Sequence, residues 1–192
     1  MTEPGPSVIE TWVRVLSDGG VLHGEREEAG VVAASRVVGE SRLSELRDWM
    51  AAQGTPSQHR VRAAAIELCI WMAVVDRVID PSERGLLVEV IRSSTLEPPE
   101  QARLERLLSI ALSDTRKLAH VETLAEILDH PTLRELMLAL SWHVANVDGF
   151  VDDLERASFE RLAGIFGVDP AVADQIRELD LSCEGAAPPA RA

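Results

Sequence analysis

Proline-marked boundaries recur along this chain. Thr55-Pro56-Ser57-Gln58, Asp80-Pro81-Ser82-Glu83, the segment LEPPE at 96–100, His130-Pro131 and Asp169-Pro170 each set a proline ahead of an amphipathic or apolar run. Proline has a fixed φ and no N–H, so a first helical turn accepts it and a helix interior does not. Between these boundaries the apolar residues recur at helical spacing, and no alternating strand pattern competes. The predicted fold class is all-α.

The boundaries divide the chain as follows. Ser7–Glu10 reads as a capping box opening a short helix that stops near Gly19-Gly20, and a second helix covers about Glu25 to Val38. A third, SRLSELRDWMAA, leads to Gly54. Thr55 as N-cap, Pro56 at the first helical position and Gln58 reciprocating then open a long helix through Val75. Further helices run from Pro81 to about Ser93, from about Pro99 to Ser113, across DTRKLAHVETLAEILD, and from Pro131 to Val147. The next is capped by Asp152 and Glu155 and stops at Gly167; Asp169-Pro170 opens the last. Residues 1–6 and the tail 181–192 have a disordered composition, and 7–54 form an N-terminal helical extension to a domain over 55–180.

Shifting the sequence by 72 residues aligns Leu68–Arg84 with Leu140–Arg156 and makes seven of seventeen positions identical. Chance supplies on the order of one. The matched pairs include Val75/Val147, Asp76/Asp148, Asp80/Asp152, Glu83/Glu155 and Arg84/Arg156. This predicts an internal duplication, with repeats at about 61–93 and 133–167, each an apolar helix, an acidic step and a second amphipathic helix.

Asp80 and Asp152 stand where an N-cap belongs and Glu83 and Glu155 three residues later, so capping boxes alone account for these four acids. Asp76 and Asp148 need another reason. Each follows an apolar helix near its carboxyl end, where the dipole disfavours an acid and the last carbonyls lack partners. A cation offsets that repulsion: Arg84 and Arg156, which repeat in register, or a metal ion. Three carboxylates from one copy are too few for a Ca²⁺ cage of six to eight oxygens, whereas two copies pool Asp76, Asp80, Glu83, Asp148, Asp152 and Glu155. The spacing is not that of an EF-hand, because Phe150 stands where that loop needs an oxygen ligand.

The helix running into "VDGFVDDLER", with the pattern D-G-x-[IV]-D-x-x-E-R, resembles the tellurite-resistance TerB family and its TerB-like relatives. The resemblance covers about residues 55–180 and is best over LALSWHVANVDGFVDDLERASFERLAGIFGV. The first copy departs at Arg77, where the pattern has glycine. The resemblance implies a compact helical domain of two related helix pairs whose matching acids form a charged, metal-binding surface. It also implies a stress or tellurite-response setting and work beside a membrane complex, so that a protein expected in the cytoplasm from its cysteines and its lack of a leader would be peripheral to the membrane.

Composition narrows the alternatives. A net charge of −13, with Lys117 the one lysine, argues against nucleic acid and favours a cation or a basic protein partner. The apolar stretch from Val61 to Val75 holds Arg62 and Glu67 and falls short of a membrane span. The N-terminus has neither a basic nor an apolar leader region. Cys69 lies in an apolar run and Cys183 in the polar tail, which fits a reducing compartment better than a disulfide framework. His120 and His130 have no partner at zinc spacing, no Glu-x-x-His occurs, and His143, Trp71 and Trp142 read as helix-face or core residues. No nucleophile or phosphate loop supports an enzyme. The expectation is a non-enzymatic module whose acidic loops bind a divalent cation or a partner; the competing expectation is a metal-free acidic scaffold.

Overall fold

The computed structural model describes residues 35, 37–75, 81–94, 96–111, 113–114, 118–145 and 153–178, without the side chains of 81–83, 86, 93 and 143–145. These residues are helical with short connections: α1 (Glu40–Ala52), α2 (Thr55–Ala73), α3 (Pro81–Ser93), α4 (Pro98–Ala111), α5 (Val121–Ile127), α6 (Pro131–Ala145), α7 (Asp153–Phe166) and α8 (Pro170–Glu178). Among the described residues there is no strand, as the sequence predicts.

α2 is the structural axis. From Val61 to Val74 every side chain is buried except half-buried Trp71. A helix apolar on all sides must be walled on all sides. α2 packs against α3, α4, α5 and α6, and its alanines at 63–65 let neighbouring helices approach closely. α6 is the second hub and meets α1, α2, α7 and α8. The shared core includes Leu46 from α1, Ile66, Leu68 and Ile70 from α2, Leu104 and Leu108 from α4, Leu133 and Met137 from α6, and Phe159 from α7. The N-terminal extension therefore contributes to the core through α1, with Leu43, Leu46 and Met50 turned inward.

Several helix ends follow the sequence signals. Gly39, at φ 82, donates its N–H to the Ser35 carbonyl at 2.8 Å, so the helix predicted to stop at Val38 does stop there. Its predicted beginning, like the predicted helix from Ser7, lies outside the described residues. Gly167, at φ 65, ends α7: its N–H reaches the Gly164 carbonyl at 3.2 Å and that of Val168 the Ala163 carbonyl at 3.0 Å. This pair of bonds is a Schellman motif, closed by Val168 packing on the core. Asp169 opens α8 by accepting the Ala171 N–H at 2.8 Å.

Two predicted boundaries are corrected. Thr55 is not the N-cap of α2: Gly54 holds that position without a side-chain cap, and Thr55 is already helical. Gln58 does not reciprocate with Thr55; its Nε2 donates to the Met50 and Gln53 carbonyls, both at 3.0 Å, and so satisfies the end of α1. Gln101 does the same in α4, donating to the Ser94 carbonyl at 2.8 Å beyond α3. Within the segment DTRKLAHVETLAEILD, predicted as one helix, the described residues hold the short α5. Leu118, Ala119 and His120 are not helical, because the Ala119 N–H is held at 3.0 Å by a carboxylate oxygen of Glu67.

Arg134 and Arg177 tie helix ends together. Arg134 donates to the carbonyls of Leu128 at 2.9 Å, Ala125 at 2.8 Å and Phe166 at 3.4 Å. It thereby places one guanidinium at the carboxyl ends of both α5 and α7, where a cation is favourable. Arg177 lies over the Phe159 ring at 5.8 Å, pairs with Asp174 and approaches Glu160 at 3.8 Å. Its carbonyl accepts the Trp142 indole N–H at 3.3 Å, while Trp142 packs on Phe159 with centroids 4.9 Å apart. α6, α7 and α8 are joined at this point.

Candidate functional site

The acids singled out in the sequence belong to two helix junctions. α2 (Thr55–Ala73) precedes the first and α3 (Pro81–Ser93) follows it; α6 (Pro131–Ala145) precedes the second and α7 (Asp153–Phe166) follows it. Asp76, Asp80, Asp148 and Asp152 lie outside the described residues. Glu83 is helical in α3, but its side chain is likewise outside them. Glu155 is the third residue of α7 and half-buried. Of the arginines offered as local counter-ions, Arg84 is exposed, and Arg156 reaches Asp153 at 3.8 Å in an exposed pair of small energetic value. Among the described residues no group of three or more His, Cys, Asp or Glu is arranged to hold a metal ion. Trp71 and Trp142 are half-buried against the core, as their helical spacing suggests. The His143 side chain lies outside the described residues.

A second polar site was not evident from sequence. It is a cleft of about 340 Å³ between α2, α4 and α5. Ala63 and Ala64 of α2 face Leu124 and Ile127 of α5 across it. Glu67 lies two helical turns past Arg60 along α2 and is only 6% exposed. One of its oxygens accepts from Arg103 of α4 at 3.1 Å and the other from the Ala119 N–H at 3.0 Å. Arg103 also engages Glu100, at 2.8 and 2.9 Å, so two carboxylates share one guanidinium. Glu100, followed by Glu67, holds Arg103 above the ordinary arginine pKa. The cationic groups lie nearer solvent: Arg60 is exposed, and the side chain of Arg103 is 43% exposed.

The α1–α6 contact holds the third cluster. Arg42 makes a bidentate bond to Glu135, 2.7 Å on each arm. Trp49 meets the His130 ring with centroids 5.0 Å apart. His130 Nδ1 is buried without a hydrogen-bond partner among the described residues. Burial, helped by nearby Arg42, lowers its pKa below the ordinary value of 6.5, while Glu45 and Asp129 oppose the shift. The sign follows from linkage: a depressed histidine gives stability that is present above the unfolded value and lost as pH falls through it to the folded one. Urea melts at pH 7 and pH 5 are therefore expected to show a loss at the lower pH that is smaller in His130→Gln. Equal losses in the two proteins would contradict the assignment.

Cys69 offers no reactive thiol. It is free, buried within α2, and burial pushes its pKa up to about 12. Among the described residues no helix is long and apolar enough to cross a membrane.

The fold and these junctions define an all-α domain in which an acid-bearing step follows each of the two hub helices. The family described as tellurite resistance protein TerB matches residues 62–178, from the first turns of α2 to the end of α8. The chain belongs to the TerB family, with α1 outside the matched segment. No curated protein and no solved structure matches it.

Proposed function

We propose that this chain is a non-enzymatic TerB-family module of the stress or tellurite response, which presents the acids of two duplicated junctions to a divalent cation. Asp76, Asp80 and Glu83 come from one junction and Asp148, Asp152 and Glu155 from the other. All six supply hard carboxylate oxygens, the donors that Ca²⁺ and Mg²⁺ take. The observation that carries the reading is the repeat in the sequence together with the contact between the helices that precede its two acidic steps. In sequence α2 and α6 precede acids that repeat at a spacing of 72 residues, and α2 packs on α6. The acids thus stand at equivalent positions of the two copies in sequence, which supports a duplication and a shared site. The cation-loaded surface then docks a protein partner at a membrane-associated complex in the cytoplasm.

A metal-free acidic scaffold is the second reading. It is favoured by the sequence spacing, in which Asp80 and Asp152 stand three residues ahead of Glu83 and Glu155, the arrangement that capping alone requires. Here the net charge of −13 attracts a basic partner directly.

Thermal melts in EDTA and with Ca²⁺, Mg²⁺, Mn²⁺ or Zn²⁺ separate the two. An ion at one hundred times its dissociation constant is expected to add about 2.7 kcal/mol. Asp148→Asn should remove most of that gain. No shift with any ion leaves the scaffold, and in that case Asp148→Asn should be equal or slightly more stable because it relieves the dipole repulsion.

A further inference from the structure

We propose that the cleft between α2, α4 and α5 binds a small organic cation, a primary ammonium or guanidinium head on a short aliphatic stem. The site shares no residue with the acidic junctions and does not depend on their reading.

Three observations converge on this ligand chemistry. The first is the placement of a charge. A carboxylate buried in an apolar wall is costly, and an ion pair that bridges helices is often no better for stability than a packed apolar pair. Glu67 nevertheless lies at the cleft, nearly excluded from solvent. The second is its unused capacity. An ionised carboxylate accepts about four hydrogen bonds, and the described partners of Glu67 are Arg103 and the Ala119 N–H. The remaining acceptor positions suit an N–H donor. The third is the ordering of the lining. Ala63, Ala64, Leu124 and Ile127 provide aliphatic contact, the most buried charge is negative, and the arginines are at the solvent side.

An anion entering this cleft meets Glu67 at its buried end and Glu100 beside it, with Arg103 already engaged by both. A cation meets the reverse. It bonds to Glu67 at the acceptor positions that Arg103 and the Ala119 N–H leave open, and lays its stem along the alanines. The volume falls within the range of small-molecule sites.

The test is titration of the ¹⁵N-labelled chain with agmatine and n-butylammonium, and with butyrate as an anion of matching length. The backbone amides of Ala119, Thr123 and Leu124 are followed. Both cations are expected to give saturable shifts at these amides and butyrate none. Glu67→Gln keeps an acceptor and removes the charge, and should weaken agmatine binding about tenfold or more. Thr123→Phe narrows the cleft from an exposed position without touching Glu67, and should weaken binding with the fold intact. It decides the matter if Glu67→Gln does not fold. No saturable shift with either cation, butyrate binding as well as butylammonium, or unchanged affinity in the folded variants would each overturn the proposal. Tighter capture of a Gly-Lys-Gly peptide than of agmatine would also overturn it, by transferring the site from a free ligand to a partner's side chain.

Discussion

Replacing Phe159 with alanine is expected to destabilise the protein by about 3–5 kcal/mol, the range for truncating a fully buried aromatic. Phe159 is 1% exposed and stands where α6, α7 and α8 meet, with Trp142 against its ring and Arg177 over it. Truncation removes the apolar fill and leaves both neighbours facing a void. A urea titration measures the loss, and Phe159→Leu, which refills much of the volume, should recover a large part of it. A loss below about 1 kcal/mol for the alanine variant would mean that α7 and α8 do not close on α6 as described.

The second large effect concerns the helix outside the family match. Leu46→Ala is expected to cost about 2–5 kcal/mol, because Leu46 is fully buried in the core shared with α6. The transition should remain single, since α1 belongs to the same packed unit. If α1 were an appendage, the variant would melt like the parent or in two steps. The Arg42–Glu135 bridge should contribute less, about 0.2–1 kcal/mol, because the Arg42 side chain is 42% exposed. Buried leucine, more than the ion pair, fixes α1 in place.

Much of the helical layout was legible because its signals are local. Proline near a helix start, glycine at positive φ after Phe166, and Asp169 ahead of Pro170 each act through one or two residues, and the structure uses them as expected. The failures share a cause. Gln58 carries the chemistry of a capping box, but the carbonyls it satisfies belong to the preceding helix. The segment before α5 has helical periodicity, but Glu67, 52 residues earlier in sequence, captures one of its N–H groups. Neither partner is visible to a reading of adjacent residues.

The candidate sites divide in the same way. The acids stand out in the sequence because one pattern recurs 72 residues later, while Asp76, Asp80, Asp148 and Asp152 lie outside the described residues. The Glu67–Arg103 pair has no such duplicate, and its members are 36 residues apart. The available signal was the cost itself: a glutamate inside the apolar run of α2 must find a donor, and it was read only as evidence against a membrane span. Arg134 was missed for a related reason, since its acceptors are backbone carbonyls of α5 and α7 that a side-chain motif does not reveal.

The enclosure of α2 has a kinetic consequence. A rod surrounded by neighbours drawn from later parts of the chain cannot hide its oily circumference when it first leaves the ribosome. Until the segments carrying Ala119 and Leu133 have been synthesised and have arrived, the stretch around Ile66 remains sticky, and closing those long loops sets the pace. During that interval nascent chains are most at risk of adhering to one another.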